Sequence, residues 1–182
     1  MKINIVVYGC DNSGKTTLTN NLVQYLWENG QPATPIKSLG PASLSEQVRF
    51  MDKHITDVKF TDNDIQIFDR FPIIEEEVCG NILRNRNNFS SHATYVSNML
   101  NQITFFIHCN PGEDKILEWG EREQMKGIKE NAKQLIEGYK AFPYIHKITS
   151  RVFNYNFMED NWEDLANIIL DQVNYLFKEG HQ

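Results

Sequence analysis

The chain has 182 residues, 41% of them apolar and 23% charged, which is the balance of a globular protein with a full core. Its formal net charge of -6 argues against a protein that coats nucleic acid, because neutralising a phosphate backbone takes a Lys/Arg surplus. No apolar run approaches the roughly 20 residues that cross a bilayer, so no membrane partner is expected. The chain also does not open with a basic stretch, a long apolar run and a small-residue cleavage site. Cys10, Cys79 and Cys109 are an odd number without metal spacing, which points to a reducing cytoplasm and not to a disulfide framework.

In chain order, Ile3 to Tyr8 is a near-continuous apolar run, as in a strand covered on both faces. Lys15 to Glu28 carries Leu18, Leu22, Tyr25 and Leu26 at helical spacing and ends at Asn29-Gly30. A short strand is expected over Thr34 to Lys37, then a helix capped by Ser43 and running to about Thr56. Ile65 to Phe68 reads as a second buried strand. Pro72 suits the first turn of a helix that continues to about Arg86. A further helix opens near Ser91 or His92 and ends near Asn101. Ile103 to Cys109 is a third strong strand, closed by Asn110-Pro111-Gly112. Charged helical sequence fills Glu113 to Ala141, with breaks at Gly120 and Gly127. Arg151 to Tyr155 reads as the last strand, and Asp160 to Glu163 opens a final helix through Phe177. Strands alternating with helices imply crossover connections and a parallel sheet. With no repeat, low-complexity tract or linker, the expectation is one domain over 1–182.

The segment Gly9-Cys10-Asp11-Asn12-Ser13-Gly14-Lys15-Thr16 satisfies G-x-x-x-x-G-K-[ST]. Glycines let the backbone curl so that several N–H groups face phosphate oxygens, and the following helix adds the positive end of its dipole. Lys15 would reach the β and γ phosphates of a nucleoside triphosphate, and the Thr16 hydroxyl would ligate Mg²⁺. Gly9, Asn12, Ser13, Gly14, Lys15, Thr16 and Thr17 are therefore the candidate ATP-binding residues. Asp11 inside the loop would repel phosphates if it faced them. Pointed away, it suits a hydroxyl of a second substrate, or it forms a local Asx turn.

Phe68-Asp69-Arg70-Phe71-Pro72 follows the second buried strand, and ligands of open α/β sheets bind at the carboxyl ends of strands. Asp69 there suits accepting a proton or organising water around Mg²⁺. Arg70 suits clamping a phosphate bidentately. Phe71 and Tyr95 are candidates to stack on a base, although aromatic core packing is the commoner use.

On these residues the chain resembles the thymidylate kinases, including their small phage-type relatives. Gly9-x-Asp11-x-Ser13-Gly14-Lys15-Thr16-Thr17 looks like that family's phosphate loop, and Asp69-Arg70-Phe71 like its D-R-[YFH] motif. Gln102 to Cys109 with Pro111 and Leu117 resembles its fourth strand and the helix after it. The departures are equally specific. Lys37 to Pro41 stands where the family has R-E-P-G, so Lys37 would hold the acceptor phosphate as a point charge. Ile74, Glu77, Val78 and Cys79 replace its serine, alanine, tyrosine and glutamine, which leaves the acceptor base unnamed.

The resemblance implies an α/β fold, namely a three-layer P-loop NTPase sandwich with a mainly parallel five-stranded sheet flanked by helices. It also implies a small lid over about 119–130 and a homodimer. Within the lid segment, Arg122 is the first candidate to meet the transferring phosphoryl group, ahead of Lys126 and Lys129. Arg49 is a candidate for the acceptor pocket. Glu75-Glu76-Glu77 lies in a first helical turn, where acidic residues favour the dipole, and it is assigned no chemistry.

The expected activity is ATP- and Mg²⁺-dependent phosphoryl transfer to a deoxynucleoside monophosphate. Lys15, Asp69, Arg70 and Arg122 would be the catalytic residues, Thr16 and Asp69 would hold the metal, and Asp11, Lys37, Arg49, Arg70 and Phe71 would bind the acceptor. The partner is a small-molecule nucleotide, with no stable nucleic-acid complex. The alternatives are a deoxynucleoside kinase with Asp69 as base, a kinase of a hydroxyl on modified DNA, and a nucleotide-dependent regulatory NTPase. The last usually needs a D-x-x-G strand end, which the chain lacks.

Overall fold

The structure, a computed structural model, describes residues 2–38, 43–56, 64–85, 103–118, 127–148 and 151–179. Its strands are β1 (Ile3–Tyr8), β2 (Ala33–Lys37), β3 (Ile65–Asp69), β4 (Ile103–Cys109) and β5 (Val152–Tyr155). Its helices are α1 (Lys15–Glu28), α2 (Leu44–Met51), α3 (Pro72–Glu75), α4 (Asn81–Arg84), α5 (Glu113–Glu118), α6 (Ala132–Ile145) and α7 (Trp162–Glu179). A π-helical turn over Asp52–Thr56 extends α2, and another over Glu76–Gly80 joins α3 to α4.

The five strands form one sheet in the order β2-β3-β1-β4-β5, and every pairing is parallel. Both faces of the central strand are covered, so β1 is apolar at almost every position and each of its residues is buried. Ile3, Ile5 and Val7 point to one side, where Leu18, Leu22 and Leu26 of α1 and Leu165, Ile169 and Val173 of α7 pack on them. Val6 and Tyr8 point to the other, against Met51 of α2, Ile73 and Ile74 of α3, and Tyr139 and Phe142 of α6. This is the expected three-layer α/β sandwich. Each fully buried leucine or isoleucine contributes about 1.5–3 kcal/mol against its exposed state.

Helix ends follow local chemistry. Ser43 and Glu46 form a reciprocal capping box at α2, with Ser43 N donating to Glu46 Oε2 at 2.7 Å. Pro72 occupies the first turn of α3, whose missing N–H costs nothing there. The expected single helix from Pro72 ends at Arg84, because Asn85 turns left-handed. Its π-helical middle sits where Gly80 crowds the Glu76 carboxyl: a Cβ on Gly80 would stand 2.9 Å from Glu76 Cδ. The expected helix between Ser91 and Asn101 lies outside the described residues, as do 119–126 of the expected lid. Among the described residues no helix is long and apolar enough to cross a membrane.

β1 is the switch point of the topology. The chain pairs β3 and β2 on one side of it and β4 and β5 on the other. The crevice beyond its carboxyl end is where such sheets bind ligands.

Candidate active site

β1 ends at Tyr8, and residues 9–14 turn the chain into α1. Gly9 has φ +140°, and a Cβ there would run into the Cys109 carbonyl at the end of β4. Gly14 has φ +83° and occupies the N-cap of α1, with Asn12 at φ +63° before it. Such a curl turns successive N–H groups toward one concave side beside a helix N-terminus. Phe157, just beyond β5, presses its ring on the loop, with Cδ1 3.0 Å from where a Gly14 Cβ would stand.

Lys15 is only 4% exposed. Its ammonium donates to the Cys10 carbonyl and lies 3.4 Å from Ser13 Oγ. Burial first, and the Arg70 guanidinium second, hold its pKa below the ordinary lysine value. Thr17 is exposed in the first turn of α1. The Cys10 thiol is pushed up to about 12 by burial, so it is an inert neighbour and not a nucleophile.

Parallel register brings the second motif beside the loop. Asp69 closes β3 opposite Val7 of β1 and Lys37 of β2. The Thr16 hydroxyl donates to Asp69 Oδ2 at 2.7 Å. Asp69 is 8% exposed, and its other oxygen, Oδ1, is buried without a hydrogen-bond partner among the described residues. Arg70 extends the ladder by one bond, N–H to Val7 O at 2.9 Å, and adopts φ +72°, unusual for a residue with a Cβ. Its Nη2 pairs with Asp11 Oδ1. Its Nη1 lies 3.5 Å from Glu75 Oε2. Burial alone would lower the Arg70 pKa, but Glu75 and Asp11 hold it above the ordinary value.

Sequence reasoning therefore brought together Lys15, Thr16, Asp69, Arg70 and Asp11, and the structure places all of them on one rim. Asp11 faces away from the loop interior and engages Arg70. Lys37 ends β2 on that rim and is exposed; with Glu46, Arg49, Phe50, Lys53 and His54 it lines an open groove of about 420 Å³. Lys37 and Arg49 thus share one basic groove beside Asp69. Phe71 is different: it is fully buried, edge-on to Phe68 with ring centroids 5.2 Å apart, and has neither face open for a base. Arg122, Lys126 and Tyr95 lie outside the described residues.

One residue with no assigned chemistry belongs to the site. Glu75, in the first turn of α3, is half-buried beside Arg70, Lys15 and Asp11. Burial raises its pKa, while Arg70 and Lys15 pull the other way. Its neighbours face elsewhere: Glu76 pairs with Arg84 at 3.6 Å, and Glu77 with His146 at 2.8 Å. The only sequence signal for Glu75 was its position six residues after Asp69, which brings it back over the strand end.

The sequence matches no family model and no curated protein. Solved structures are similar in fold. The YorR protein of Bacillus subtilis, in complex with phosphorylated GDP, is 14% identical, with 98% of each chain covered and a TM-score of 0.69. A deoxyadenosine kinase from M. mycoides, with dCMP and dCDP bound, is also 14% identical, over 95% of this chain and 99% of that one, at a TM-score of 0.60. A thymidylate kinase from Ehrlichia chaffeensis is 16% identical over 92% of this chain and 98% of that one, at a TM-score of 0.58. The chain shares their α/β fold over nearly its whole length.

Proposed function

We propose that the protein is an ATP-dependent nucleotide kinase that transfers the γ-phosphoryl group to a deoxynucleoside monophosphate. The observation that carries this reading is the Thr16–Asp69 bond of 2.7 Å, which joins the phosphate loop to the strand end bearing Arg70. A nucleotide-binding loop alone fits a switch or a hydrolase. A loop tied to an acidic-basic pair, with a basic groove next door, fits transfer between two anionic substrates. The shared fold with a thymidylate kinase and a deoxyadenosine kinase supports the same reading.

In this reading the loop N–H groups and Lys15 bind the donor phosphates. Lys15 turns from the Cys10 carbonyl to them and exchanges a neutral acceptor for anionic phosphate oxygens. Lys37 and Arg49 attract the acceptor phosphate into the groove, and Arg70 meets the group in flight. Arg122 in the lid segment is proposed to close over it. A monophosphate supplies its own anionic nucleophile, so no strong general base is required.

Thr16 and Asp69 fit a magnesium ion. The ion takes hard oxygen ligands, commonly one or two from protein with the rest from phosphate and water, and Asp69 Oδ1 is buried with no other partner. When bound, the ion neutralises charge on the phosphates. The absence of a cluster of three or more His, Cys, Asp or Glu among the described residues accords with that sparse ligation. The buried free thiols accord with a proposed cytoplasmic setting.

A nucleoside acceptor is the second reading, because the unpartnered Asp69 Oδ1 is also able to accept a hydroxyl proton. The test is an acceptor panel: ATP and Mg²⁺ with nucleosides, nucleoside monophosphates and an oligonucleotide, following ADP release. Release that requires a monophosphate supports the proposal; release only with nucleosides selects the second reading. Acceptor-independent hydrolysis overturns both.

A further inference from the structure

Arg70 is bracketed by two carboxylates that are built very differently. Asp11 sits on the phosphate loop and pairs with Nη2. Glu75 sits on α3 and faces Nη1 at 3.5 Å, an ion pair at the limit of a hydrogen bond. Glu75 is itself held from several sides. Its backbone N–H bonds to Phe71 O at 3.0 Å, and Cys79 Sγ lies 3.9 Å from Oε2. Cys79 and Tyr139 are also in contact with each other, Sγ to hydroxyl 3.1 Å. The second oxygen of Glu75, Oε1, is buried and has no hydrogen-bond partner among the described residues.

We infer that Glu75 is the positioning residue for Arg70, and that Asp11 is only its resting partner. The inference rests on the phosphoryl-transfer reading of the same site. Phosphates arriving in the loop bring negative charge next to Asp11, and like charges at short range disfavour each other. Asp11 then gives up Nη2 to a phosphoryl oxygen. Glu75 does not compete in the same way, because it sits on α3 and not on the phosphate loop, with Cys79 of the following turn beside its carboxylate. The unused Oε1 gives the guanidinium a second acceptor once Nη2 has left Asp11, so that one edge of the planar fork stays anchored while the other turns to substrate. The left-handed backbone of Arg70 suits such a fixed pivot: its N–H is committed to Val7 O at 2.9 Å, so only the side chain swings. Cys79 stands between Glu75 and Tyr139 of α6, with Sγ 3.9 Å from Oε2 and 3.1 Å from the hydroxyl.

The prediction separates positioning from plain electrostatics. Removing a negative charge near the transferring group would by itself favour an incoming phosphate. Glu75→Gln nevertheless lowers kcat about 10- to 100-fold, with KM for ATP within about threefold of wild type. Asp11→Asn is compared through the Arg70 side-chain NMR signal, not through turnover. Tyr139→Phe, which keeps the charge but removes the hydroxyl in contact with Cys79 beside Glu75, lowers kcat by a smaller factor in the same direction. An unchanged or raised kcat in Glu75→Gln overturns the inference. A second measurement does not depend on turnover. In the free protein the Arg70 side-chain Nε–Hε NMR signal is followed before and after addition of pyrophosphate. With Asp11→Asn it stays sharp in both states; with Glu75→Gln it broadens or collapses to the exposed-arginine position once pyrophosphate is added. The reverse pattern makes Asp11 the anchor and overturns the proposal even if no acceptor is ever phosphorylated. A wild type inactive on every acceptor, with the NMR pattern as predicted, removes the kinase reading and leaves Glu75 as the anchor of Arg70.

Discussion

Lys15→Met separates what the fold needs from what the ligand needs. The lysine is 4% exposed and its pKa is lowered by burial, so its charge sits in the free protein at a cost. Its one close acceptor is the Cys10 carbonyl, with Ser13 Oγ at 3.4 Å. Methionine has similar length and no charge to desolvate, and replacing buried charge by an apolar group is often neutral or stabilising. The expected change in the free protein is therefore between about 0 and 2 kcal/mol in favour of the variant. At roughly 2–4 °C per kcal/mol for a chain of this size, Tm stays level or rises by several degrees. Nucleotide binding behaves oppositely. At ADP about 100 times Kd, the wild type gains about 2.7 kcal/mol, or roughly 5–11 °C. Losing a charge-assisted bond of about 2–3 kcal/mol weakens binding on the order of a hundredfold, so the same ADP gives the variant only about 0.4 kcal/mol. Thermal denaturation with and without ADP reads both numbers. A variant that loses more than about 5 °C without ligand, or that keeps the full ADP shift, refutes the reasoning.

Three further outcomes follow from the same geometry. Gly9→Ala places a methyl against the Cys109 carbonyl at φ +140°, so a loss of about 2–5 kcal/mol by denaturant titration and loss of ADP binding are expected; near-wild-type stability would show that the loop does not pack on β4 as described. Asp69→Asn keeps an oxygen for the Thr16 hydroxyl but removes the charge, so folding is retained while the Mg²⁺ concentration for half-maximal turnover rises at least tenfold; an unchanged requirement removes Asp69 from metal binding. His108 is held down to about 4 from 6.5, first by burial, with Asn154 pulling the other way. The unfolded chain therefore binds its proton first, and stability present above pH 6.5 falls as pH drops toward 4, by up to about 3 kcal/mol. His108→Gln should flatten the stability curve between those two pH values; an identical slope contradicts the assignment.

Much of this site was readable from residue order because its chemistry is local. The bounds of β1 and α1 follow from an apolar run and from glycines whose positive φ forces the turn. Asp69 and Arg70 meet the loop because parallel register fixes where neighbouring strands end, and Asp69 lies opposite Val7. Glu75 was hidden because an acidic residue in a first helical turn already has a sufficient reason to be there, the helix dipole. Its surroundings include Tyr139 on α6, 64 residues further along the chain, which reaches it through Cys79, and no local pattern encodes that contact. Phe71 misled for the converse reason: beside a functional motif an aromatic ring suggests stacking, whereas its packing on Phe68 places it in the core. The π-helical turn at Glu76–Gly80 was invisible too, because no change in apolar spacing marks it; only Gly80, where a Cβ would meet the Glu76 carboxyl, shows the close approach there.

The central claim is that the loop and the Asp69-Arg70 strand end act together to move a phosphoryl group between two nucleotides. The direct measurement is transfer of the terminal label of γ-³²P ATP, with Mg²⁺, to each deoxynucleoside monophosphate, resolved by chromatography for wild type, Lys15→Ala and Arg70→Ala. The account predicts labelled diphosphate with the wild type and on the order of a hundredfold less with either variant. Label appearing only as inorganic phosphate, or transfer undiminished in Lys15→Ala, contradicts it.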